Sequence, residues 1–413
     1  MICEQFGTAL DSSLICSSIK GGDKKTATGA GVQRQFWYCF QETMIKQIHV
    51  SGYRSIRELA LDLKPINVLT GPNGCGKSNL YNSLVLIGRA AQGQLARAIA
   101  EEGGTPSVFW AGGERVRYQR KKPPKRVVLG FEAEEFGYEL QVGLPSLNEH
   151  ALGTMFTLDP RVKEEYIWPS ETNRRVLMLK RDEPSAWLRN AEGSMVTYPF
   201  QISKQESVLS QIIDPHLYPE ISAVRHQILS WRFYHHFRTD IESPLRQPQI
   251  GVYTPVLNHD GSDVAAALET ILEIGDGDAL RQTVAEAFGG ATLLIEAMDT
   301  LFSMRLQIPG LLRPLQAREF SDGQLRFLCL CAVLFSPCPP SLLALNEPET
   351  SLHPDILDAL AHLIVRASKN TQLWITTHSE PLADRIEQHS SVPRVRLRMA
   401  EGETQVEGSR KHL

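Results

Sequence analysis

The sequence predicts an α/β fold with a mixed sheet, an antiparallel β subdomain and an inserted helical lid or arm. Two continuously apolar runs, LLAL at 342–345 and LWI at 373–375, are typical of central parallel strands that are covered on both faces. Two alternating runs, VVLGFEAEE and FGYELQVGL, predict an antiparallel hairpin over residues 127–144. From about residue 201 to 300 the pattern becomes helical.

The length and composition are those of an ordinary globular protein. The 413 residues are 42% hydrophobic and 22% charged, which suits a chain with a sizeable core. A formal net charge of −4 excludes a generally basic surface, so any contact with nucleic acid must be local. Seven scattered cysteines without a CxxC pair favour a reducing, cytoplasmic location. Because no apolar run approaches the ~18 residues of a membrane span, we expect no membrane partner.

The ordered pattern begins at Met44. Residues 1–43 are rich in Ser, Gly, Thr and Lys, and we interpret them as a disordered tail or as an extension wrongly assigned upstream of a true start at Met44. Three short strands follow, IKQIHV, ELALDL and INVLT, and residues 150–200 contain further hairpin-like pieces. Helical spacing over only two heptads predicts core packing, and not a coiled coil, for Ile221, Val224, Ile228 and Trp231.

The third strand leads into the glycine-rich stretch GPNGCGKS, residues 71–78, and then into a helix. This is the G-x-x-x-x-G-K-S pattern in the strand–loop–helix context that its chemistry requires. Backbone N–H groups and the helix start favour phosphates, Lys77 reaches the terminal phosphates, and Ser78 ligates Mg²⁺. We therefore predict ATP and Mg²⁺ as ligands. The predicted nucleotide-binding residues are Asn73, Gly74, Cys75, Gly76, Lys77, Ser78 and Asn79.

A second buried strand, residues 342–345, ends in Asn346-Glu347-Pro348-Glu349. ATP-hydrolysing proteins usually have Asp-Glu here, the Asp holding Mg²⁺ and the Glu positioning the attacking water. Asn346 offers only one neutral acceptor oxygen toward the ion, directly or through a water. Glu347 remains as the expected general base. The sequence therefore predicts an altered magnesium shell and leaves the rate of hydrolysis open.

Two further stretches suit a γ-phosphate. Ser321-Asp322-Gly323-Gln324 precedes a very apolar helix, whose positive end favours an anion. In Thr376-Thr377-His378-Ser379 a histidine follows an apolar strand, where it can hydrogen-bond the phosphate or the attacking water. Gln92, Gln94 and Gln119 lack the context expected of a magnesium-binding glutamine loop, so none of them is assigned to the magnesium shell.

Together, GPNGCGKSN, FSDGQ, NEPETSLHP and TTHS resemble the ABC-type P-loop ATPase heads of the SMC, RecF and OLD-like group. The long segment between Ser78 and Ser321 and the TSLHP turn are unlike those of transporter ATPase subunits. We therefore disfavour the hypothesis that the chain is a transporter subunit. Too few residues follow His378 for a TOPRIM domain, so the resemblance implies a stand-alone head. Any chemistry on nucleic acid would then come from a separate partner.

The resemblance also implies roles for individual residues. Two subunits of such heads sandwich two ATP molecules, so it implies a homodimer closed by ATP. The signature acting in trans is Ser321, Gly323 and Gln324, the general base is Glu347, and the switch histidine is His378. Arg54 in SGYRSI matches an arginine that often lies near the nucleotide.

The resemblance and the local patterns together suggest a domain division. Residues 1–43 form the extension, and 44–200 form a first ATPase lobe with the glycine loop and the antiparallel β subdomain. Residues 201–310 form an inserted helical subdomain. Residues 311–413 form a second lobe with the signature, the acidic strand and His378.

Basic residues cluster in RVRYQRKKPPKR, residues 115–126. Such a cluster binds DNA phosphates without sequence preference, and the predicted contacts are Lys121, Lys122, Lys125 and Arg126. The alternative, a solvated hairpin tip kept soluble by its charge, stays open.

The function of the whole chain is open between two hypotheses. One hypothesis is an ATPase whose dimerisation is coupled to DNA repair, DNA maintenance or anti-phage defence. The other is a slow, ATP-gated switch that recruits a separate nuclease or other effector protein.

Overall fold

The computed structural model describes residues 43–112, 124–145, 155–172, 174–190 and 192–408. The N-terminal extension predicted for residues 1–43 therefore lies outside the described residues, except for Thr43. Most of the basic cluster also lies outside them, including Lys121 and Lys122.

Strands and helices follow one another along the chain. The strands are β1 (Ile45–Tyr53), β2 (Ile56–Asp62), β3 (Ile66–Thr70), β4 (Val127–Ala133), β5 (Phe136–Gly143), β6 (Arg161–Pro169), β7 (Leu179–Asp182), β8 (Ser185–Arg189), β9 (Met195–Thr197), β10 (Arg232–Tyr234), β11 (Gln249–Ile250), β12 (Thr292–Met298), β13 (Leu301–Gln307), β14 (Leu315–Gln316), β15 (Leu342–Asn346), β16 (Gln372–Thr376), β17 (Val395–Ala400) and β18 (Glu403–Val406). The helices are α1 (Lys77–Ala91), α2 (Leu95–Glu101), α3 (Thr105–Val108), α4 (Pro219–Ser230), α5 (Val264–Ile274), α6 (Gly277–Ala287), α7 (Asp322–Leu334), α8 (Leu357–Ala367) and α9 (Glu380–Ser390). Among the described residues, no helix combines the length and the apolar character needed to cross a membrane.

A mostly parallel sheet carries the motifs. Its strand order is β10-β15-β16-β3-β17-β18, and only the β17–β18 hairpin is antiparallel. Residues 342–345 and 373–375 are at most 1% exposed. Alternate residues along these strands belong to two different hydrophobic clusters, so both faces of the sheet are covered. The predicted α/β class with a mixed sheet is confirmed.

The antiparallel part is a separate sheet of eight strands in the order β2-β1-β4-β5-β6-β7-β8-β9. The hairpin predicted over residues 127–144 is present, with Gly130 paired to Glu139. Strands β6 to β9 account for the hairpin-like pieces in residues 150–200. Helix α1 packs over this sheet, since Leu80 and Leu84 share a buried cluster with Leu129 and Phe131.

Residues 201–310 differ from the helical subdomain that the sequence predicted. They hold α4, α5 and α6, but they also supply β10 to the parallel sheet and β11, β12 and β13 to a further antiparallel sheet. A three-residue strand such as β10 is too short to show a period. The β12–β13 hairpin, paired from Thr292↔Gln307 to Met298↔Leu301, mixes exposed and half-buried positions on both strands. The segment is a mixed α/β insertion, not a helical arm.

Core packing holds for the apolar positions in and after α4. Ile221, Val224, Ile228 and Trp231 are each at most 3% exposed and belong to the cluster beneath the antiparallel sheet. The prediction of packing instead of a coiled coil is therefore confirmed.

Four parallel strands end at the same edge of the sheet. β3 ends at Thr70, β10 at Tyr234, β15 at Asn346 and β16 at Thr376. The carboxyl ends of the strands are where open α/β sheets bind their ligands. Because the glycine loop, the acidic turn and TTHS each follow one of these strands, the fold brings three predicted motifs together.

Candidate nucleotide-binding site

The loop between β3 and α1 is shaped by its glycines. Gly71, Gly74 and Gly76 have φ angles of 148°, 77° and 102°, which side chains rarely adopt. A Cβ atom on Gly76 would lie 2.0 Å from Thr404 Oγ1, so the β17–β18 hairpin packs directly behind the loop. A Cβ atom on Gly74 would meet nothing within 4 Å, so that part of the loop is open. An open glycine loop at a helix start is what phosphate binding requires.

Lys77 is the first residue of α1 and is only 5% exposed. Its Nζ donates to the carbonyl oxygens of Gly71 at 2.6 Å and Pro72 at 3.3 Å. Burial lowers the pKa of the Lys77 ammonium, an effect that Cys75, Glu347 and Glu349 oppose. The loop thus holds a cation whose present partners are weak neutral acceptors.

His378 connects this cation to the acidic turn. Its Nδ1 lies 3.2 Å from Lys77 Nζ, and its Nε2 lies 2.7 Å from Glu347 Oε1. Glu347 has a left-handed φ of 48°, and its N–H donates to the Thr376 carbonyl at 2.7 Å. Such a backbone costs roughly 1–2 kcal/mol for a residue with a Cβ, and it turns this side chain out of the strand direction. The structure therefore joins Lys77, His378 and Glu347, which the sequence placed in three separate motifs.

Asn346 is the last residue of β15 and pairs with Thr376 on β16. The Thr376 hydroxyl donates to Asn346 Oδ1 at 2.5 Å. The amide oxygen that the sequence assigned to the magnesium shell is thus already engaged by a neighbouring strand.

Glu349 has a role that the sequence interpretation missed. Its Oε1 accepts from the Thr377 hydroxyl at 2.6 Å and from the N–H groups of His378 and Ser379, each at 3.2 Å. Its Oε2 is buried and has no hydrogen-bond partner among the described residues. The second acid of N-E-P-E therefore holds the loop that carries His378. In the sequence, the only indication of this role was the position of Glu349 two residues after Glu347.

The signature residues cap a helix in their own chain. The Ser321 hydroxyl accepts from Gln324 N–H at 3.2 Å, and Gln324 Oε1 accepts from Ser321 N–H at 2.9 Å, a capping box at the start of α7. A Cβ on Gly323 would lie 2.7 Å from the Ser351 carbonyl oxygen, so this helix start abuts the turn after the acidic strand. Within the described chain, no hydrogen bond joins these residues to the glycine loop.

A histidine pair also lies at this edge. His235 and His236 directly follow β10, and they line a cavity of about 20 Å³ together with Arg326, Asn346 and Glu347. That volume holds about one water molecule. Arg326 Nη2 lies 2.8 Å from His236 Nδ1, and burial, Arg326 and His235 lower the pKa of His236.

The sequence interpretation did not assign these histidines to the nucleotide site. It missed their position because β10 shows no period of its own, and only its pairing with β15 brings them here. Gln92 and Gln94, considered for the missing glutamine loop, lie beyond the far end of α1, about 20 Å along the helix from the glycine loop. Gln119 lies outside the described residues.

Residues 66–384 match the model of the family described as "AAA domain, putative AbiEii toxin, Type IV TA system". The chain belongs to this family. The AAA domain agrees with the P-loop ATPase class that its motifs predicted. No match was found among curated proteins.

Solved structures similar to this AAA-domain protein include three SMC heads. The first is the SmcHead bound to the C-winged helix domain of ScpA, with 15% identity and a TM-score of 0.47, covering 88% of this chain and 97% of that one. The second is the SMC head domain from Thermotoga maritima, with 13% identity, a TM-score of 0.43 and coverage of 89% and 99%. The third is an Smc head domain with an extended coiled coil bound to the C-terminal domain of ScpA derived from Pyrococcus furiosus, with 13% identity, a TM-score of 0.47 and coverage of 88% and 96%.

Arg54 of this AAA-domain protein lies in the turn between β1 and β2. Its guanidinium pairs with Glu102 at 2.7 Å, and the Tyr53 hydroxyl donates to the same carboxylate oxygen. The next residue, Ser55, accepts a hydrogen bond from Asn79 of α1 at 2.7 Å. The turn therefore lies against helix α1, and the charge of Arg54 is balanced by Glu102.

Of the four predicted DNA contacts, the structure describes Lys125 and Arg126, both exposed. Arg126 pairs with Glu164 at 2.6 Å and also donates to Gln141 at 3.0 Å. Part of the charge in this cluster is thus neutralised on the antiparallel sheet.

The site fits a nucleoside triphosphate with Mg²⁺. Ser78 is exposed on the first turn of α1, beside the open side of the glycine loop. The Lys77 ammonium rests on main-chain carbonyls, which phosphate oxygens can replace as stronger, charged acceptors. Among the described residues, the buried Glu349 Oε2 has no hydrogen-bond partner and remains an available acceptor two residues after Glu347.

Proposed function

We propose that this protein binds ATP with residues 73–79 and hydrolyses it, with Glu347 as general base and His378 as switch histidine. The observation that carries the proposal is the contact series from Lys77 through His378 to Glu347. This series links a lysine, which can bind a γ-phosphate, to a glutamate, which can activate water. The three residues follow the ends of three different strands. Mg²⁺, when bound, would neutralise phosphate charge, and Ser78 and, through a water, Asn346 would hold it.

The residues divide the reaction between them. Phosphate oxygens replace the carbonyl groups on Lys77, and His378 is then released from the ammonium to contact the γ-phosphate. Glu347 accepts a proton from the water that attacks the γ-phosphorus. The bond from that phosphorus to the bridging oxygen breaks, which leaves ADP and inorganic phosphate.

We further propose that ATP closes a homodimer. Each motif occurs once in the chain, and Ser321 and Gln324 are bonded to each other with no hydrogen bond to the glycine loop in the described residues. Two such chains complete two sites when the signature residues of each chain contact the nucleotide bound by the other. The exposed start of α7 supports this arrangement, because its N–H groups favour an anion.

Two substitutions test the ATPase proposal. Lys77→Ala should abolish ATP binding, because the phosphates lose their buried cation. Glu347→Gln should keep binding and lower turnover by about 10²–10⁴-fold, the usual contribution of a general base. Nucleotide binding by calorimetry and phosphate release measure the two effects. Glu134→Gln, an exposed change in the turn after β4, is the matched control. Normal turnover in Glu347→Gln would contradict the proposal.

A slow ATP-gated switch that recruits a separate effector is the second candidate. It is favoured by the hydrogen bond from Thr376 that already engages the neutral Asn346 oxygen. The family description names a "putative AbiEii toxin" of a Type IV TA system, so we propose anti-phage defence, and not DNA repair, as the setting of either activity.

Binding of double-stranded DNA is a further part of the proposal. Lys125 and Arg126 are exposed, and Lys121 and Lys122 lie four residues before them in sequence. Reversing all four charges should weaken DNA binding and flatten its salt dependence, because each lost phosphate contact lowers the slope by about one. A gel-shift salt series measures both, with Lys163→Glu and Lys180→Glu on the same sheet as the control. Unchanged retention at low salt would rule out this contact surface.

A further inference from the structure

A cluster of metal-ligating side chains lies outside the nucleotide site. Asp358 and His362 are one turn apart on α8, and His389 lies in the last turn of α9. His389 Nε2 is 3.1 Å from Asp358 Oδ1, and His362 Nε2 is 3.5 Å from Asp358 Oδ2. The two imidazole rings stack with centroids 3.8 Å apart and an interplanar angle of 30°.

These distances suit a tetrahedral ion. Zinc bonds of about 2.0–2.1 Å place neighbouring ligand atoms about 3.3 Å apart. Both oxygen–nitrogen distances lie close to that value, and all three ligand atoms lie within 4.8 Å of one another. The three side chains therefore offer ligand atoms close enough together to share one ion.

The arrangement is less well explained as a surface ion pair. Two stacked imidazolium rings repel each other, and one carboxylate cannot balance both together with Arg385, whose Nε lies 3.9 Å from Asp358 Oδ1. Two imidazoles beside one carboxylate form a donor set that suits zinc.

We propose that Asp358, His362 and His389 bind a divalent transition metal of the zinc class, with water as the fourth ligand. The side chains are 56%, 62% and 28% exposed, so an ion enters from solvent without unfolding. The bound ion ties α8, which follows the acidic turn, to α9, which begins two residues after His378. It thus stiffens the pair of helices next to the loop that carries His378.

Zinc titration of the full chain, stripped with a chelator and free of nucleotide, tests the site. Calorimetry should show one zinc per chain, with a thermal midpoint that rises on binding. His389→Ala and Asp358→Ala should each weaken zinc binding by at least about tenfold. Even the loss of a residue that only hydrogen-bonds to a metal ligand can have an effect of this size. His216→Ala removes an exposed histidine outside the cluster and should bind zinc as the wild type does.

Cobalt gives a readout that a structural defect does not imitate. Co²⁺ in the wild-type site should show the intense visible bands of tetrahedral coordination, and His389→Ala should lose them while its circular dichroism stays native. Lys77→Ala should retain both zinc and these bands, so failure of the ATPase proposal leaves this result untouched. Wild-type zinc binding no tighter than that of His389→Ala would show an adventitious ion and overturn the proposal.

Discussion

Asn346 is where the chemistry of the site departs most from that of an ordinary ATPase. Its Oδ1 accepts from the Thr376 hydroxyl, so the strand pair fixes the orientation of the amide. An aspartate would accept the same hydrogen bond, keep a second oxygen for the magnesium shell and add a negative charge. At the proposed magnesium site, the neutral amide would therefore preserve the local structure while weakening the electrostatic contribution to the ion.

We expect Asn346→Asp to raise ATP turnover by about tenfold or more, because a charged ligand stabilises the magnesium that the reaction requires. Steady-state phosphate release at saturating ATP and Mg²⁺ measures the effect. Asn370→Asp adds the same charge in the turn before β16, at the opposite end of that strand, and should leave turnover unchanged. Equal or lower turnover in Asn346→Asp would show that the amide is not the limiting feature.

The antiparallel sheet has its own buried polar network. Glu165 on β6 and Arg181 on β7 are both 0% exposed, with 3.4 Å between the charged groups. Glu165 Oε1 also accepts from Tyr138 and Ser207, and its Oε2 accepts from Val208 N–H. Burial, and then Glu165, raise the pKa of Tyr138, which stays a hydrogen-bond donor. Strands β5, β6 and β7 are thus joined to the following segment by one carboxylate.

Glu165→Ala should lower the free energy of unfolding by about 3–5 kcal/mol, because it leaves the Arg181 charge buried without its carboxylate. Chemical denaturation monitored by circular dichroism measures this loss. Glu164→Ala changes the neighbouring residue, whose ion pair with Arg126 is partly exposed, and should cost at most about 1 kcal/mol. Similar losses in the two variants would contradict a special role for the buried network.

Assembly is the property that involves the whole chain. In one chain the signature at α7 and the glycine loop at α1 each make only half of the proposed composite site. Ser321 already contributes a helix cap, so its removal also carries a local cost of about 1 kcal/mol. A test of the dimer must separate that cost from the loss of contact with the partner's nucleotide.

With ATP and Mg²⁺, Glu347→Gln should elute as a dimer in size-exclusion chromatography with light scattering, since ATP stays uncleaved between the subunits. Adding Ser321→Ala should return it to a monomer that still binds ATP. Asp276→Ala removes a comparable helix cap, at α6, and should leave the dimer intact. A Glu347→Gln protein that remains monomeric at saturating ATP would rule out the proposed sandwich.

The contiguous motifs could be predicted from the sequence. The glycine loop, the acidic turn and the signature stretch are each made by residues close together in the chain, so each appears as a short sequence motif. The strands β15 and β16 were equally visible, because a strand buried on both faces is apolar at every position. The α/β class and the family followed from these features.

The tertiary structure decided which distant residues meet. Thr404 lies behind Gly76, Glu349 holds the His378 loop, and His235 and His236 reach the acidic edge only because β10 pairs with β15. The mixed character of residues 201–310 has the same origin. A parallel strand is stabilised by hydrogen bonds to a partner far away in the chain, and the choice of partner leaves no local period in the sequence.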